Sequence, residues 1–322
     1  MRFNENIAIA TSKVLLVPYD AHHVLRYHEW MQDPVSPPGR KPLHRDPYRC
    51  DDGPSDSECQ AIQEATASEP LTLDEEYENQ QSWRTSHDKL TFIVCQALES
   101  GNDPGASEAV QGDESHAGDH CNSAVTGDKV HAGEVDTPDR MVGDINLFLT
   151  PWEDDEDDED ADGRGMNGLV TDGAVDSIPN GRRGRAVSYC NGEVDIMIAD
   201  RGRRGNGLGI SAVSTLLHFI RRHLKSILAE YGAAREAGFG ARVKSLYELK
   251  DLVAKINAAN VGSIALFTKL GFKQRGEVNY FGEIEMVLED FGRVAPEVVD
   301  EKRRAHAADY RELVYDRSKL NA

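Results

Sequence analysis

The chain has 322 residues and a formal net charge of −20, from 36 Lys and Arg against 56 Asp and Glu. Three stretches that are poor in aromatic residues, 35–64, 100–140 and 153–187, carry −16 of this charge, so the remaining 216 residues form a nearly neutral domain. The acidic balance disfavours a nucleic-acid-binding protein, which needs clustered Lys and Arg against phosphates, and no apolar run reaches the ~20 residues of a membrane span.

Cysteine usage and the first residues of the chain bear on its compartment. The five cysteines are scattered and form no C-x-x-C pair, which is typical of a reducing environment. The first residues are not followed by the apolar segment of a signal peptide. We therefore expect a cytoplasmic protein, with the nucleus as the alternative, and no membrane partner.

In the first half, short β-rich runs alternate with amphipathic segments, a pattern that predicts three strands and two helices. The second helix has a defined start, because Thr72 can act as its N-cap with Glu75 three residues later, the spacing of a capping box. The predicted strands are Lys13–Tyr19, Leu90–Cys95 and Val142–Leu149, and the predicted helices are His22–Met31 and a segment from Thr72 to about Trp83.

The second half predicts a strand, a Gly-rich loop and a helix, followed by a strand, a helix and a terminal hairpin. Their bounds are Glu193–Ala199, Arg201–Gly209, Ile210–Leu224, Leu249–Ile256, Ser263–Leu270, and Phe272–Tyr280 with Gly282–Glu289. The charged tail, residues 296–322, is expected to form a surface helix. Together the elements predict a mixed α/β fold: one domain over residues 1–295, in which the three stretches named above are disordered insertions.

The loop Arg201–Gly209, with the sequence RGRRGNGLG, carries most of the functional signal. Its alternate glycines let the backbone approach a ligand closely, and the helix that follows presents its positive end. Loop and helix therefore form an anion site of the kind that holds a pyrophosphate.

Three cofactor motifs compete for this loop. A P-loop is excluded, because the Lys and the hydroxyl residue of G-x-x-x-x-G-K-[ST] are missing. The dinucleotide fingerprint G-x-G-x-x-G fails at its third glycine, where Ile210 stands. The pattern R-x-x-G-x-G is met by Arg204, Gly207 and Gly209. On this motif alone, a Gly-rich surface loop without a ligand stays open.

A second motif, NVGSIALFTKLGF from Asn260 to Phe272, follows about 50 residues later. The two motifs resemble the signatures of the GCN5-related N-acetyltransferase (GNAT) superfamily, and Ser263 is expected to cap the helix of the second one. The resemblance implies a mixed sheet flanked by helices, with two splayed central strands, and binding of acetyl-CoA. It assigns the cofactor to Ile198, Arg203, Arg204, Gly205, Asn206, Gly207, Leu208, Gly209, Asn260 and Ser263.

Further segments, among them Met1–Asn6, Lys13–Tyr19, Met141–Thr150 and Gly192–Ala199, resemble the N-acetyltransferase 9-like proteins within that superfamily. This narrower resemblance implies acetyl transfer to a protein amine. An N-terminal α-amine is the expected acceptor, because its reference pKa of about 7.7–8.0, against about 10.4 for Lys, leaves more of it neutral near pH 7. The resemblance also makes tubulin a possible substrate.

Three residues are candidates for proton transfer. Glu193 and Asp195 lie two apart on a predicted strand and so project to one face. Glu193 is the first candidate for the general base and Asp195 the second, and the alternative is a solvated strand face. Many superfamily members carry a Tyr general acid where this chain has Phe267, so Tyr280 on the hairpin is the candidate acid, with core packing as the alternative. The superfamily resemblance also implies that the backbone N–H near Met197–Ile198 faces the thioester oxygen.

The sequence therefore predicts an acetyl-CoA-dependent N-acetyltransferase that acts on a protein and binds neither a metal nor nucleic acid. The alternative, which Phe267 supports, is a catalytically weak acetyl-CoA-binding scaffold.

Overall fold

Ten strands form one mixed sheet in the computed structural model, which describes residues 1–31, 71–98, 129–152, 187–239, 246–293 and 306–320. In chain order they are β1 (Ile7–Ala10), β2 (Val14–Pro18), β3 (Lys89–Gln96), β4 (Lys129–His131), β5 (Met141–Pro151), β6 (Val187–Ile198), β7 (Leu246–Asn257), β8 (Lys273–Arg275), β9 (Glu283–Leu288) and β10 (Arg311–Asp316). Their order across the sheet is β4-β10-β1-β2-β3-β5-β6-β7-β9-β8. Within this order β4–β10 and β6–β7 are parallel and the other described pairs are antiparallel, so the predicted mixed α/β class is confirmed.

Helices cover both faces of the sheet. They are α1 (Val24–Met31), α2 (Leu73–Thr85), α3 (Leu208–Phe239) and α4 (Val261–Lys269). One hydrophobic cluster joins α1 and α2 to one face, and a larger cluster joins α3 and α4 to the other. Strands between the two layers are buried on both sides; all five residues of β2 are buried, which accounts for its continuous apolar sequence.

Local sequence signals set the helix bounds. The predicted capping box is confirmed: the Thr72 hydroxyl accepts from the Glu75 N–H at 3.3 Å, and the Thr72 N–H donates to the Glu75 carboxylate at 2.8 Å. Helix α3 extends well past Leu224, because Ile227, Leu228 and Tyr231 continue its buried stripe. No helix within the described ranges combines the length and apolar character needed to cross a membrane.

Two of the predicted insertions, 100–140 and 153–187, overlap strands at their C-terminal ends, since Lys129 begins β4 and Val187 begins β6. Residues 35–64, 100–128 and 153–186 lie outside the described residues. Lys129–His131, however, forms β4 and pairs with β10. The expectation that the whole stretch 100–140 stays unfolded is therefore wrong for residues 129–140.

A buried carboxylate explains why this segment folds onto the domain. Asp136 accepts hydrogen bonds from the rings of His22 at 3.2 Å and His23 at 2.9 Å, from the Gly133 N–H at 2.6 Å, and from the hydroxyl of Tyr315. Burial alone would raise the pKa of Asp136, but the hydrogen bonds hold it well below its ordinary range. One side chain thus joins three distant parts of the chain.

The C-terminal segment is also ordered, in a way the sequence analysis did not predict. Arg311–Asp316 is a strand, β10, and the predicted surface helix is wrong for these residues. It pairs with β1, a strand that was not predicted, and buries Leu313 and Tyr315. The folded domain therefore extends beyond the predicted boundary at residue 295.

The parallel strands β6 and β7 separate near their C-terminal ends. Their described register runs from Val187 and Leu246 to Glu193 and Val253. Beyond that point β6 still pairs with β5 as far as Ile198, and β7 still pairs with β9 as far as Asn257. The last residues of β6 and β7 therefore flank a gap in the sheet, the predicted splay of the central strands.

Candidate active site

The Gly-rich loop leaves the end of β6 beside this gap and leads into α3. Gly205 and Gly207 have φ angles of 76° and 82°, in the left-handed region that favours glycine. The Ser211 N–H closes the first turn on the Gly207 carbonyl at 3.1 Å. The other N–H groups of this turn have no partner within the helix, because each helix start leaves four such donors. The loop therefore has the geometry of an anion cradle.

A glycine at the start of α3 allows close packing between two helices. A Cβ atom on Gly209 would lie 2.9 Å from Leu266 Cδ1 on α4 and 3.9 Å from Ile198 Cγ1 on β6. Glycine thus lets the first turn of α3 approach α4 and the end of β6 closely. The two sequence signatures meet here.

The loop arginines hold the loop to the strand. Arg204 donates through Nε to the Ile198 carbonyl at 2.7 Å and through Nη2 to the Ala199 carbonyl at 3.4 Å. Arg203 pairs with Asp200 at 3.1 Å. The Asn206 side chain donates to the Gly202 carbonyl at 3.5 Å. These predicted cofactor residues therefore help to set the shape of the cradle.

A lysine from a distant part of the chain lies beside the cradle. The Lys13 ammonium lies 3.2 Å from the position that a Cβ atom on Gly207 would occupy. Lys13 belongs to the turn between β1 and β2, and its side chain is exposed. Sequence analysis missed this residue, because only the fold brings residue 13 next to residue 207.

The second signature forms the turn and helix after β7. The Asn260 side chain, rather than Ser263, caps α4, since its oxygen accepts from the Ser263 N–H at 3.1 Å. The expectation of a Ser263 cap is wrong, because Asn260 occupies the N-cap position and Ser263 the third helical one. Phe267 and Leu270 face the core, each with 2% of its surface exposed.

Glu193 is the last residue of β6 that pairs with β7. Its carboxylate forms an ion pair with Lys255 at 2.9 Å, and about a third of its side chain is exposed. The hydrogen bond from this ion pair raises the pKa of Lys255. The Glu193 carboxylate is therefore held by the Lys255 ammonium.

Asp195 lies two residues further along β6, beside the gap. The Ala199 N–H donates to the Val142 carbonyl of β5 at 2.9 Å, so by alternation the amides of Ile196 and Ile198 face the gap. The Asp195 carboxylate accepts from the Ile196 N–H. Burial raises the pKa of Asp195 to about 6, against the effect of that hydrogen bond. Asp195 thus has the proton affinity of a general base near neutral pH.

A second acid, Asp144 on β5, lies behind Asp195 on the same face. It is 3% exposed, and its Oδ2 accepts from the Asn146 amide at 2.7 Å. Burial, with the charge of Asp195, raises the pKa of Asp144 to about 7. Sequence analysis placed Asp144 on a strand but gave it no role; the available signal was an acid and an amide alternating with Ile145 and Leu147.

The third candidate for proton transfer, Tyr280, lies in the turn between β8 and β9. Its side chain is 97% exposed, and its ring contacts the ring of Phe281 at a centroid distance of 5.5 Å. Neither core packing nor contact with Glu193 or Asp195 is observed for it within the described part of the chain.

Comparisons with known proteins agree with this geometry. The model of the acetyltransferase (GNAT) domain family matches residues 128–273. An N-acetyltransferase 9-like protein of Schizosaccharomyces pombe is 30% identical over 288 residues, which cover 89% of this chain and 98% of that protein. A human protein named alpha/beta-tubulin-N-acetyltransferase 9 is 29% identical over 89% of this chain and 86% of its own length.

Among solved structures, a GNAT-family acetyltransferase from Bacillus anthracis aligns with 88% of this chain and 98% of its own, at 9% identity and a TM-score of 0.41. No residue role is transferred from it. The sequence matches extend over nearly the whole chain and include both signatures at the gap. The chain therefore belongs to the N-acetyltransferase 9-like family of GNAT acetyltransferases.

Proposed function

We propose that this acetyltransferase transfers the acetyl group of acetyl-CoA to a protein amine, in particular an N-terminal α-amine. The observation that carries the proposal is the gap between β6 and β7, with an anion cradle at its end and the Asp195 carboxylate at its side. In this proposal the gap would receive the extended arm of the cofactor, and the cradle would hold its pyrophosphate.

The residues at the cradle suit acetyl-CoA. The left-handed glycines and the free amides at the start of α3 are donors for phosphate oxygens, and Lys13 adds a positive charge. Asn260 and Ser263, at the start of α4, line the side on which the pantetheine arm would lie. When bound, acetyl-CoA supplies a thioester whose acetyl carbon exchanges its bond to sulfur for a bond to the amine nitrogen.

The acceptor must lose a proton before it can attack. An α-amine has a reference pKa of about 7.7–8.0, against about 10.4 for Lys. Near pH 7 roughly a tenth of α-amines are neutral already, so an N-terminal acceptor demands less of the base. Of the two carboxylates on β6, we assign the proton acceptor to Asp195, because Glu193 is bound to Lys255. Tyr280, exposed at a loop tip, would donate to the leaving thiolate only after movement of the hairpin.

The test is turnover with labelled acetyl-CoA across a panel of peptides. Because the human relative is named for tubulin, the panel includes the N-terminal peptides of α- and β-tubulin. Each peptide has two matched controls: the same sequence with a blocked α-amine, and the blocked sequence with one internal Lys. We expect label on the free α-amine and little on either control.

The same assay separates this proposal from the scaffold alternative. Phe267, buried in the core at the position of a possible acid, is the feature that favours the alternative. Acetyl-CoA binding measured by calorimetry without turnover on any peptide would favour a scaffold. Label on Lys in preference to the α-amine would contradict the assigned acceptor.

A further inference from the structure

Polar side chains form a row across the sheet beneath α1 and α2. Thr91 on β3 is opposite Asn146 on β5, and Asn146 is opposite Asp195 on β6. Side chains directly opposite each other have Cβ atoms about 4.5–5.5 Å apart. Asp144 lies on the same face, one position along β5 from Asn146. The two acids are therefore diagonal neighbours, one behind the other as seen from the gap.

Unpaired polar atoms mark this row. Within the described residues, Asp144 Oδ1, Asn146 Oδ1, Thr91 Oγ1 and the Tyr19 hydroxyl are buried without a hydrogen-bond partner. Asn146 is 2% exposed and Tyr19 is 3% exposed. A buried carboxylate oxygen without a donor is costly, and a proton on Asp144 removes that cost by removing the charge.

Several charged or titratable groups act on these two acids. Besides burial, the charge of Glu193 raises the pKa of Asp195 and the hydrogen bond from the Ile196 N–H lowers it. Besides burial, the charge of Asp195 raises the pKa of Asp144 and the hydrogen bond from Asn146 lowers it. Asp144 in turn acts, together with Glu76 on α2, on Tyr19 after β2 and on Tyr27 of α1, and raises the pKa of both tyrosines.

We propose that Asp144 is a positioning residue for proton transfer: it forms with Asp195 a coupled carboxyl pair that takes up the proton of the acceptor amine. The inference rests on the proposed function. Asp195 is partly exposed beside the gap and can contact the acceptor, whereas Asp144 is buried behind it and cannot. Asp144 acts as the second proton site of the pair, because burial and the charge of Asp195 raise the pKa of Asp144.

The coupling raises the proton affinity of the pair. Two interacting acids titrate in two steps that belong to the pair. Burial raises the pKa of Asp195 to about 6 and, with the charge of Asp195, that of Asp144 to about 7, so we expect both steps above the ordinary range of Asp. Above the second step both acids are ionised, and the pair accepts a proton with the affinity of that step. The upper pKa of the pair is closer to the pKa of an α-amine than the pKa of Asp195 alone is. Proton transfer from the ammonium form of the acceptor to the pair therefore costs less free energy. One proton leaves the ammonium and one arrives on the pair.

The first measurement is a carboxyl titration that does not depend on turnover. With ¹³C-labelled aspartate, ordinary Asp side chains titrate near 4, so carboxyl signals that move between pH 5.5 and 7.5 stand apart. We expect two such signals in the native protein. Asp144→Asn should leave one, with a midpoint about one pH unit below the upper native step.

Two further variants have different expected results. One should move the upper titration step in the direction opposite to Asp144→Asn, and the other should move neither step. Asn146→Leu removes the hydrogen bond that favours the ionised form of Asp144, so the upper step should move to higher pH. Glu76→Gln removes a carboxyl that is 3% exposed on the same face but does not act on either acid, so neither step should move. A general loss of packing would not shift the titration in opposite directions in the first two variants.

The second measurement is the acid limb of kcat against pH with an N-terminal peptide. It should move to lower pH in Asp144→Asn, to higher pH in Asn146→Leu, and not at all in Glu76→Gln. An unchanged limb in the folded Asp144→Asn variant, or one native signal instead of two between pH 5.5 and 7.5, would overturn the pair. Absence of turnover in the native protein would instead contradict the proposed function, and the titration would still decide whether the pair exists.

Discussion

Replacing Lys13 by Met tests whether the anion cradle extends beyond the Gly-rich loop. The Met side chain keeps most of the apolar stem and removes the ammonium, which lies 3.2 Å from the Cβ position of Gly207. Exposed ion pairs contribute about 0.2–1 kcal/mol, and hydrogen bonds to charged groups about 1.5–3 kcal/mol. Because the Lys13 side chain is exposed, we take about 1 kcal/mol, which corresponds to about a fivefold weaker Kd for acetyl-CoA.

Calorimetry at two salt concentrations provides the assay. The Debye length falls from about 10 Å at 0.1 M salt to about 3 Å at 1 M, so the effect of Lys13→Met should shrink at high salt. Lys273→Met, which removes an exposed ammonium on β8, is the matched control and should bind as the native protein does. Acetyl-dephospho-CoA lacks the 3′-phosphate; an equal loss for both ligands would assign Lys13 to the pyrophosphate.

The reasoning would be refuted by a Lys13→Met protein that binds acetyl-CoA with native affinity at low salt. An equal loss in Lys273→Met would also refute it, because the effect would then reflect net charge alone. Arginine at position 13 should restore most of the affinity, since it keeps the charge.

Four other changes, three substitutions and one deletion, extend these tests. Gly207→Glu places a carboxylate in the cradle at a left-handed position, and we expect at least a tenfold weaker Kd for acetyl-CoA by calorimetry, ~1.4 kcal/mol; native affinity in a folded variant would remove the loop assignment. Deleting residues 107–126 should leave the melting temperature unchanged. Asp136→Ala leaves the buried ring of His23 without its hydrogen-bond partner, so it should lower the free energy of unfolding, measured with denaturant, by about 3 kcal/mol. An Asp136→Ala protein with native stability would contradict the role given to this carboxylate. Glu193→Gln should lower kcat less than tenfold, because Glu193 is paired with Lys255, and a loss of 10²–10⁴-fold, the range of general-base catalysis, would transfer that role from Asp195 to Glu193.

Sequence alone determined the parts of the site whose geometry is local. Left-handed glycines, the start of α3 and the turn that begins α4 depend on residues within one or two turns of each other. The motifs from Arg204 to Gly209 and from Asn260 to Phe272 therefore indicated the family and the anion cradle. The exchange of the cap from Ser263 to Asn260 is a small error of the same local kind.

Tertiary structure decided every feature that depends on strand register or on distant hydrogen bonds. The average composition of residues 100–140 predicts a disordered segment, but the last residues of this stretch are folded. The hydrogen bonds of one buried carboxylate, Asp136, stabilise them, and an average over many polar neighbours does not show such bonds. Strand β10 required a partner, β1, some 300 residues away in the chain. Lys13 at the cradle, and Asp144 behind Asp195, follow from the order and register of β2, β3, β5 and β6. Periodicity states which face of a strand a residue occupies, but it contains no information on which residue lies opposite, and proton transfer depends on that second fact.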